Sequence, residues 1–340
     1  MVFEILSDGR KVMGASDEEL DDWMNDAFER RLRRFGKSLF CYSPTAYPYK
    51  IPDHAQSNPH NFVSLSVTGT ACSLNCEHCD GTLLTGMEPT LTPENLFERC
   101  TDVKNRGGEG VLISGGSDST GHVPLDRFAE AIGRVKSELD LKVVVHTGLV
   151  SSKTAELLGT AGIDAAMLDV IGDADLAERV YHLKDGPRHM KRSLEILNGH
   201  GIPTVPHVLV GLNYGKLAGE IEALDMIAQN SPAAVVFIVL FPVRNTPMEH
   251  ITPPTPRQVG KVMTVARLGM EDIPILLGCA RPKGKHKAQS DLYAIRSGAN
   301  GVALISQEGV AAARAAGLEP IFEDVCCSLA YQHVTIADAE

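Results

Sequence analysis

Eight short apolar segments, each followed by a segment with helical patterning, constrain the fold of this chain more than any other feature. Strands that are apolar along most of their length are typical of a parallel sheet covered by helices. Helical segments such as 93–106, 124–139 and 256–269 follow several of them. The predicted strands are 62–69, 110–116, 142–148, 164–170, 204–212, 233–241, 273–279 and 300–306.

Eight β-then-α units are the number needed to close a (β/α)8 TIM-type barrel. We expect this barrel to be fully closed or slightly open. An open, doubly wound α/β sheet is the alternative. Barrels of this type carry their chemistry at the C-terminal ends of the strands. The unusual residues of the sequence fall there: a cysteine-rich loop after the first predicted strand, Gly115-Gly116 after the second, Asp169 ending the fourth and Cys279 ending the seventh.

Two regions flank the predicted barrel. Ser16 and Glu19 form a capping-box pattern that begins an N-terminal helix, and Gly36 can end that helix. The following stretch, 41–59, contains four prolines and is expected to be irregular. The predicted organisation is an N-terminal helix with an irregular extension over 1–60, the barrel over 61–318, and a C-terminal tail over the barrel mouth at 319–340.

Charge and composition exclude several classes of partner. The net charge is −11 with no long Lys/Arg run, which argues against nucleic acid or an anionic membrane as the main partner. The N-terminal residues lack the apolar stretch of a signal peptide, and no apolar run reaches the length of about 18 residues needed to span a membrane. Eight cysteines in such a chain indicate a reducing compartment, so we expect a cytoplasmic protein.

The cysteine-rich loop has the spacing C-x3-C-x2-C, formed by Cys72, Cys76 and Cys79. Three thiolates on one loop can hold three irons of a 4Fe–4S cluster and leave the fourth iron open for chemistry. A zinc site is the alternative, but zinc favours four ligands in paired spacing. His78 is the candidate fourth zinc ligand, yet it stands between two of the cysteines. We therefore predict that the three cysteines hold a catalytic cluster.

This motif, in the loop after the first strand of a barrel, resembles the radical S-adenosylmethionine (SAM) superfamily. The resemblance implies that SAM binds the open iron through its amino and carboxylate groups. One electron from the cluster would then cleave SAM to methionine and a 5′-deoxyadenosyl radical. His78 stands where the family usually has an aromatic residue before the third cysteine.

The resemblance also implies a cofactor pocket. In the family a Gly-Gly pair after the second strand meets the methionyl ammonium, although such a pair is elsewhere a simple turn. Asp169 would accept hydrogen bonds from the ribose hydroxyls, or merely cap the next segment. His146 would line the pocket, or be a satisfied core histidine. The residues implied to bind the cofactor are His78, Ser114, Gly115, Gly116, His146, Asp169, Val210 and Gly211.

The other cysteines divide into two kinds. Cys100 shares a helix face with apolar residues and is expected in the core. We predict that Cys41, Cys279, Cys326 and Cys327 converge on a second, auxiliary 4Fe–4S cluster, with one of the adjacent pair as the main ligand. Unrelated buried thiols are the alternative, and the fourth ligand is left open.

At a finer level the sequence is similar to the archaeal-type two-protein lipoyl synthase components, within the biotin-synthase-like branch. This similarity implies insertion of sulfur from the auxiliary cluster into an octanoyl chain on a protein lysine. The implied partners are the lipoyl-carrier domain, a homologous companion radical SAM protein, and ferredoxin or flavodoxin as electron donor. The motifs that carry the similarity are Cys72 through Gly86-Met87, Ser114 to Asp118, Val123-Pro124-Leu125 and Cys279-Ala-Arg-Pro.

Two alternative functions, and the role of one basic surface patch, are left undecided by the sequence. A one-cluster enzyme of the same branch could catalyse a rearrangement or the synthesis of a cofactor precursor. A non-enzymatic iron–sulfur carrier or scaffold would not need Gly115-Gly116. Lys283, Lys285, His286 and Lys287 form a local basic patch that either docks an acidic carrier domain or is a solvated loop.

Overall fold

The computed structural model of the chain describes residues 3–45 and 47–336. Each of the eight predicted strands is present. Three additional strands precede them, one follows them, and the short β5 lies between the first and second predicted strands. The strands are β1 Ser38–Tyr42, β2 Lys50–Ile51, β3 His54–Ala55, β4 Phe62–Ser66, β5 Glu88–Pro89, β6 Gly110–Ser114, β7 Lys142–His146, β8 Ala165–Asp169, β9 Thr204–Val210, β10 Val235–Val239, β11 Ile275–Leu277, β12 Gly301–Ala303 and β13 Glu319–Glu323.

Helices follow most of the strands, as the barrel prediction requires. Short 3₁₀ segments cover Thr82–Gly86, Leu125–Phe128 and Cys327–Leu329. Within the described residues, no helix combines the length and apolar character needed to cross a membrane. The α-helices are α1 Ile5–Gly14, α2 Asp17–Phe35, α3 Pro93–Asn105, α4 Ala129–Leu139, α5 Ser152–Ala161, α6 Ala174–Tyr181, α7 Gly186–Gly199, α8 Glu220–Ala228, α9 Pro256–Gly269, α10 Lys285–Arg296, α11 Gln307–Ala315 and α12 Ala330–His333.

The sheet of the described chain has eleven strands in the order β13-β1-β12-β11-β10-β9-β8-β7-β6-β4-β5, and its neighbouring strands run parallel. It curls into a TIM-type barrel, which confirms the predicted fold class. The side-chain amide of Asn61, just before β4, donates to the carbonyl of Asp324, just after β13 (3.0 Å). This bond brings the two sides of the curled sheet together.

Alternation along each strand creates two cores, because successive side chains of a strand point to opposite faces. On β7, Val143 and Val145 belong to the core between sheet and helices, whereas Val144 belongs to the core inside the barrel. Met167 on β8 also faces the interior. Side chains inside the barrel can therefore be distinguished from those beneath the helices.

The N-terminal region partly follows the prediction. The capping box is confirmed: the Ser16 side chain accepts from the backbone of Glu19, and the Glu19 side chain accepts from the backbone of Ser16. Helix α1, which precedes it, was not predicted. The stretch expected to be irregular begins inside β1, which pairs with both β12 and β13. These pairings join residues more than 250 positions apart, so they cannot be predicted from local sequence patterns.

The C-terminal tail differs from the prediction that it covers the barrel mouth, because it enters at the opposite end. The Tyr331 hydroxyl donates to the carbonyl of Asp164, one residue before β8 begins. Val325, Cys327, Leu329 and Ala330 are buried in the interior core beside Phe62 and Ala165, the first residues of their strands. The physical reason is that β13 continues the sheet and delivers apolar tail residues to the N-terminal end of the barrel.

Asp324 anchors the start of this tail. Its carboxylate accepts from the Ser43 hydroxyl and lies 2.8 Å from His54 Nε2, while its carbonyl accepts from Asn61. The ring of His54 stacks on Phe322 at 4.5 Å. The position of the tail is thus fixed by contacts to three separate segments.

Candidate functional site

A cavity of about 370 Å³ opens at the C-terminal ends of the strands. Its volume is in the range typical of small-molecule sites. Most of its wall is apolar, and the polar groups come from a few strand ends and the cysteine loop. The residues of chemical interest that line it are Cys72, Cys76, His78, Cys79, Ser114, Gly115, Gly116, His146, Asp169, Tyr181, His207 and Cys279.

The cysteine loop is held by backbone hydrogen bonds to neighbouring segments. The Ser73 amide donates to the carbonyl of Ser117 (2.7 Å), and the Glu77 amide donates to the carbonyl of Val180 (3.0 Å). Asn75 takes a left-handed conformation with φ of 48°, which turns the loop between the first two cysteines. The loop therefore presents Cys72, Cys76 and Cys79 to the same cavity.

The thiols of this loop are suited to metal binding. A hydrogen bond from Cys76 and the proximity of His78 hold the pKa of Cys79 well below its usual value, and the same bond raises the pKa of Cys76. Thiolate is the form that binds metal. Among the described residues, no three His, Cys, Asp or Glu side chains converge on one point where a single ion could sit. A cube in which each iron takes its own thiolate needs no such convergence, so three thiolates on one loop are compatible with a 4Fe–4S cluster.

Gly116 is required by its packing against the cysteine loop. A Cβ at this position would lie 2.0 Å from the carbonyl oxygen of Ala71 and 2.6 Å from Cα of Cys72. Its amide donates to the Thr68 hydroxyl (2.6 Å). Gly115 and Ser114 line the cavity beside it, and the Ser114 hydroxyl donates to the carbonyl of His146 (3.0 Å). The Gly-Gly pair thus allows the end of β6 to pack directly against the cysteine loop.

His78, Tyr181 and Asp169 form a connected group in the cavity wall. The rings of His78 and Tyr181 stack with centroids 5.0 Å apart, and the Tyr181 hydroxyl donates to Asp169 Oδ2 (2.8 Å). Nδ1 of His78 is buried without a hydrogen-bond partner among the described residues. A bound polar ligand would supply the missing partner.

Asp169 is held as a carboxylate by its neighbours. Burial alone would raise the pKa of Asp169, but the hydrogen bond and charge of His146, with contributions from His207 and Tyr181, hold it well below its usual value. His146 Nε2 lies 3.6 Å from Asp169 Oδ1. A partly buried carboxylate that lines the cavity is suited to accept hydrogen bonds from hydroxyl groups of a ligand.

We expect Tyr181→Phe to weaken SAM binding about fivefold, since it removes a hydrogen bond worth about 1 kcal/mol while keeping the ring stack. Tyr181→Leu removes both contacts and should weaken binding further. Equilibrium dialysis of SAM with the cluster-loaded protein measures the effect. The control is Tyr214→Phe, whose hydroxyl bonds Glu77 at the surface. Unchanged affinity in both Tyr181 variants would show that the stack and the hydroxyl do not position the pocket.

His207 is a cavity residue that the sequence analysis missed. Its Nδ1 donates to the carbonyl of Val205 two residues earlier (3.1 Å), which leaves Nε2 as an acceptor. Burial lowers the pKa of His207 to about 4. The alternation of β9 was the available signal, because His207 and Leu209 line the cavity.

Val210 and Gly211, by contrast, are not placed in the cavity. Val210 is fully buried in the core between sheet and helices, and the Gly211 amide donates to the buried Glu220 side chain (2.9 Å). Strand alternation explains this placement, since the side chain of Val210 points to the face opposite that of Leu209.

The segment that carries most of these cavity residues matches a known protein family. Residues 66–227, which include the cysteine loop, the Gly-Gly pair, Asp169 and His207, match the radical SAM superfamily. This segment is a radical SAM domain. The match implies a 4Fe–4S cluster and SAM as cofactors, and Cys72, Cys76 and Cys79 are the residues that would hold the cluster.

Relatives of this radical SAM protein lie in the biotin-synthase-like branch. It is 21% identical to biotin synthase of Synechococcus sp. (strain CC9311) over 73% of this chain and 78% of that protein. It is 24% identical to 3-methylornithine synthase of Methanosarcina barkeri (strain Fusaro / DSM 804) over 64% of this chain and 63% of that protein. A crystal structure of methylornithine synthase matches with a TM-score of 0.66 and 19% identity, covering 98% of this chain and 97% of that one. At this identity the structural match shows the fold alone.

Among the four further cysteines predicted as metal ligands, Cys41 stands apart in this radical SAM fold. It lies on β1 facing the helices, in the core that contains Val302 and Ile305, and burial raises its pKa to about 12. Its neighbour Tyr42 faces the interior instead. The structure therefore does not bring Cys41 to the other three.

Cys279, Cys326 and Cys327 all pack in the interior core of the barrel. A hydrogen bond between the adjacent thiols lowers the pKa of Cys326 and raises that of Cys327, and burial followed by the charge of Cys326 raises the pKa of Cys279. Cys279 also lines the SAM-side cavity. Three soft thiols are the donor set that iron–sulfur clusters use.

Arg281, two residues beyond Cys279, binds groups that do not line the cavity. Its guanidinium pairs with Asp291 at 2.7 Å, and both side chains are buried. It also donates to the carbonyls of Gly278 and Ala303. Its contacts fix the segment after β11, so Cys279 is the potential metal ligand of this segment that lines the cavity.

Proposed function

We propose that this radical SAM enzyme inserts sulfur into an octanoyl chain carried on a protein lysine, as a lipoyl synthase component. The observation that carries the proposal is the second group of thiols. Cys279, Cys326 and Cys327 share the barrel interior, and Cys279 also lines the cavity that holds the first group. We propose that the three hold an auxiliary 4Fe–4S cluster.

The two groups of thiols would face the same substrate space. When bound, the first cluster and SAM would supply a carbon radical and the auxiliary cluster would supply sulfide. The wall between them includes Leu209, Ile238, Leu240 and Phe241, whose side chains suit an alkyl chain and exclude water. On the SAM side, Asp169 and His78 provide the polar contacts.

The same proposal names partners. The octanoylated lipoyl-carrier domain is the substrate, ferredoxin or flavodoxin supplies the electron, and a homologous radical SAM protein performs the companion insertion. All eight cysteines are free thiols, which fits a reducing compartment. We therefore propose that the reaction takes place in the cytoplasm.

The test is Cys279→Ala compared with Cys41→Ala. Cys41 is the control because it is a buried thiol on the helix-facing side of the sheet, whereas Cys279 is partly buried and lines the cavity. We expect the Cys279 variant to lose sulfur insertion into an octanoylated carrier domain while still cleaving SAM, and the Cys41 variant to keep both activities. Mass spectrometry of the carrier and quantification of 5′-deoxyadenosine measure the two. Sulfurated product from the Cys279 variant would contradict the assignment.

A second candidate is a one-cluster reaction, a rearrangement or the synthesis of a cofactor precursor. The alignment with 3-methylornithine synthase favours it. In that case both cysteine variants would cleave SAM, and neither they nor the wild type would transfer sulfur. A non-enzymatic carrier or scaffold would cleave no SAM at all.

A further inference from the structure

Four exposed cations stand on three neighbouring loops at the barrel mouth. Lys216 follows β9, Arg244 follows β10, and Lys283 and Lys285 follow β11. Within residues 3–45 and 47–336, none of the four pairs with a carboxylate. We call these four residues the basic rim. Because the whole chain carries a net charge of −11, the basic rim is a local reversal of sign.

The three loops form one surface. The loops after β9 and β10 are packed closely, since a Cβ at Gly215 would lie 1.9 Å from the carbonyl oxygen of Thr252. The loop after β10 is tied to the start of α10 by a hydrogen bond of 2.7 Å from His286 Nε2 to the carbonyl of Pro254. The three loops that carry the cations are therefore in contact with one another.

The three loops carry a single acidic residue, Glu249, against the four cations. Glu249, in the loop after β10, accepts from the backbone amide of Asn245 (2.7 Å) and contacts His250 at 3.0 Å. Its carboxylate is thus bound within its own loop. The basic rim is left with an excess of positive charge.

The basic rim borders the cavity. Val243 and Ala280 line the cavity, Arg244 directly follows the first, and Lys283 lies three residues after the second. In the sheet order, β9, β10 and β11 lie four to six strands from β4, which carries the cysteine loop. In a curled sheet this places the loops after β10 and β11 across the mouth from Cys72, Cys76 and Cys79. The loop after β9, which carries Lys216, instead contacts the cysteine loop through the hydrogen bond from Tyr214 to Glu77.

We infer that the basic rim docks the acidic surface of the carrier domain and directs its octanoyl-lysine arm into the cavity; this inference rests on the proposed function. An electron donor needs to approach the cysteine loop, on the other side of the mouth from Lys283 and Lys285, so the position of these two lysines favours the carrier. Exposed rim charges mainly accelerate association and set its salt dependence.

The test uses the full-length, cluster-loaded protein and an octanoylated lipoyl-carrier domain as the probe. The variant is Lys283→Glu with Lys285→Glu, and the control is Lys104→Glu at the exposed end of α3. At low salt we expect the double variant to raise the dissociation constant about tenfold and the control to leave it unchanged. The difference should shrink as added salt shortens the screening length.

Two further probes separate the outcomes. Insertion of sulfur into a short octanoyl-lysine peptide, which lacks the acidic domain, should be equal in wild type and double variant. Equal affinity of both proteins for the carrier domain would overturn the docking site, as would loss of flavodoxin binding with carrier binding intact. Weakened carrier binding together with no sulfur insertion by the wild type would support docking and reject the proposed function.

Discussion

Replacing Cys76 with alanine is expected to reduce SAM cleavage to the background given by the reductant alone. Cys76 is the middle ligand of C-x3-C-x2-C, and its thiol contacts that of Cys79. With one of three thiolates gone, the loop cannot hold a cube with a single open iron. The measurement is 5′-deoxyadenosine formed per chain after anaerobic reconstitution with dithionite as reductant.

Cys100→Ala is the matched control for this prediction. Cys100 is fully buried in α3, beneath the outer face of the sheet, and burial raises its pKa to about 12. Its replacement should reduce stability modestly and leave SAM cleavage near the wild-type value. Cleavage by the Cys76 variant at the level of the Cys100 variant would show that the loop does not bind the catalytic cluster.

Gly116→Ala is expected to disrupt the cysteine loop, although Gly116 itself lies in a different segment, after β6. The added Cβ would overlap the carbonyl of Ala71 and Cα of Cys72, and both obstacles are backbone atoms. Overpacking of this kind costs about 3 kcal/mol, and it would displace Cys72 relative to the other two cysteines. We expect a lower melting temperature together with a loss of iron from the first cluster.

Gly133→Ala separates this clash from the general effect of replacing glycine. Gly133 lies in α4, where the nearest atom to an added Cβ is 3.6 Å away, in ordinary contact. Alanine favours a helix over glycine by about 1 kcal/mol, so this variant should be as stable as the wild type or more so. Full iron content in the Gly116 variant would contradict the role assigned to the close packing.

The barrel and its catalytic edge could be predicted from the sequence because both depend on local patterns. The alternation of apolar strands with helices is repeated eight times, and the cysteine loop, Gly115-Gly116 and Asp169 each end a predicted strand. Parallel strands bring their C-terminal ends to one edge, so the cavity follows from the order of the elements.

The features that were missed depend on contacts between distant segments. β1 and β13 pair with each other across almost the whole chain, and this pairing carries the tail to the N-terminal end of the barrel. The tail then places Cys326 and Cys327 beneath the cavity instead of across its mouth. Cys41 was grouped with them on the basis of residue type, although the alternation of β1 turns it toward the helices.

The contacts between individual side chains could not be predicted from the sequence either. Tyr181 comes from the end of α6 and reaches both His78 and Asp169, which are 103 and 12 positions earlier in the chain. The face of β9 could have been predicted, because alternation within one strand separates His207 from Val210 once either residue is placed.

The measurement that tests the central claim most directly is iron and sulfide per chain after anaerobic reconstitution. It compares the wild type with the variant in which Cys72, Cys76 and Cys79 are all alanine. Two 4Fe–4S clusters predict about eight irons in the wild type and about four in the variant, the remainder being held in the barrel interior by Cys279, Cys326 and Cys327. About four irons in the wild type and none in the variant would contradict the two-cluster account and favour a one-cluster radical SAM reaction.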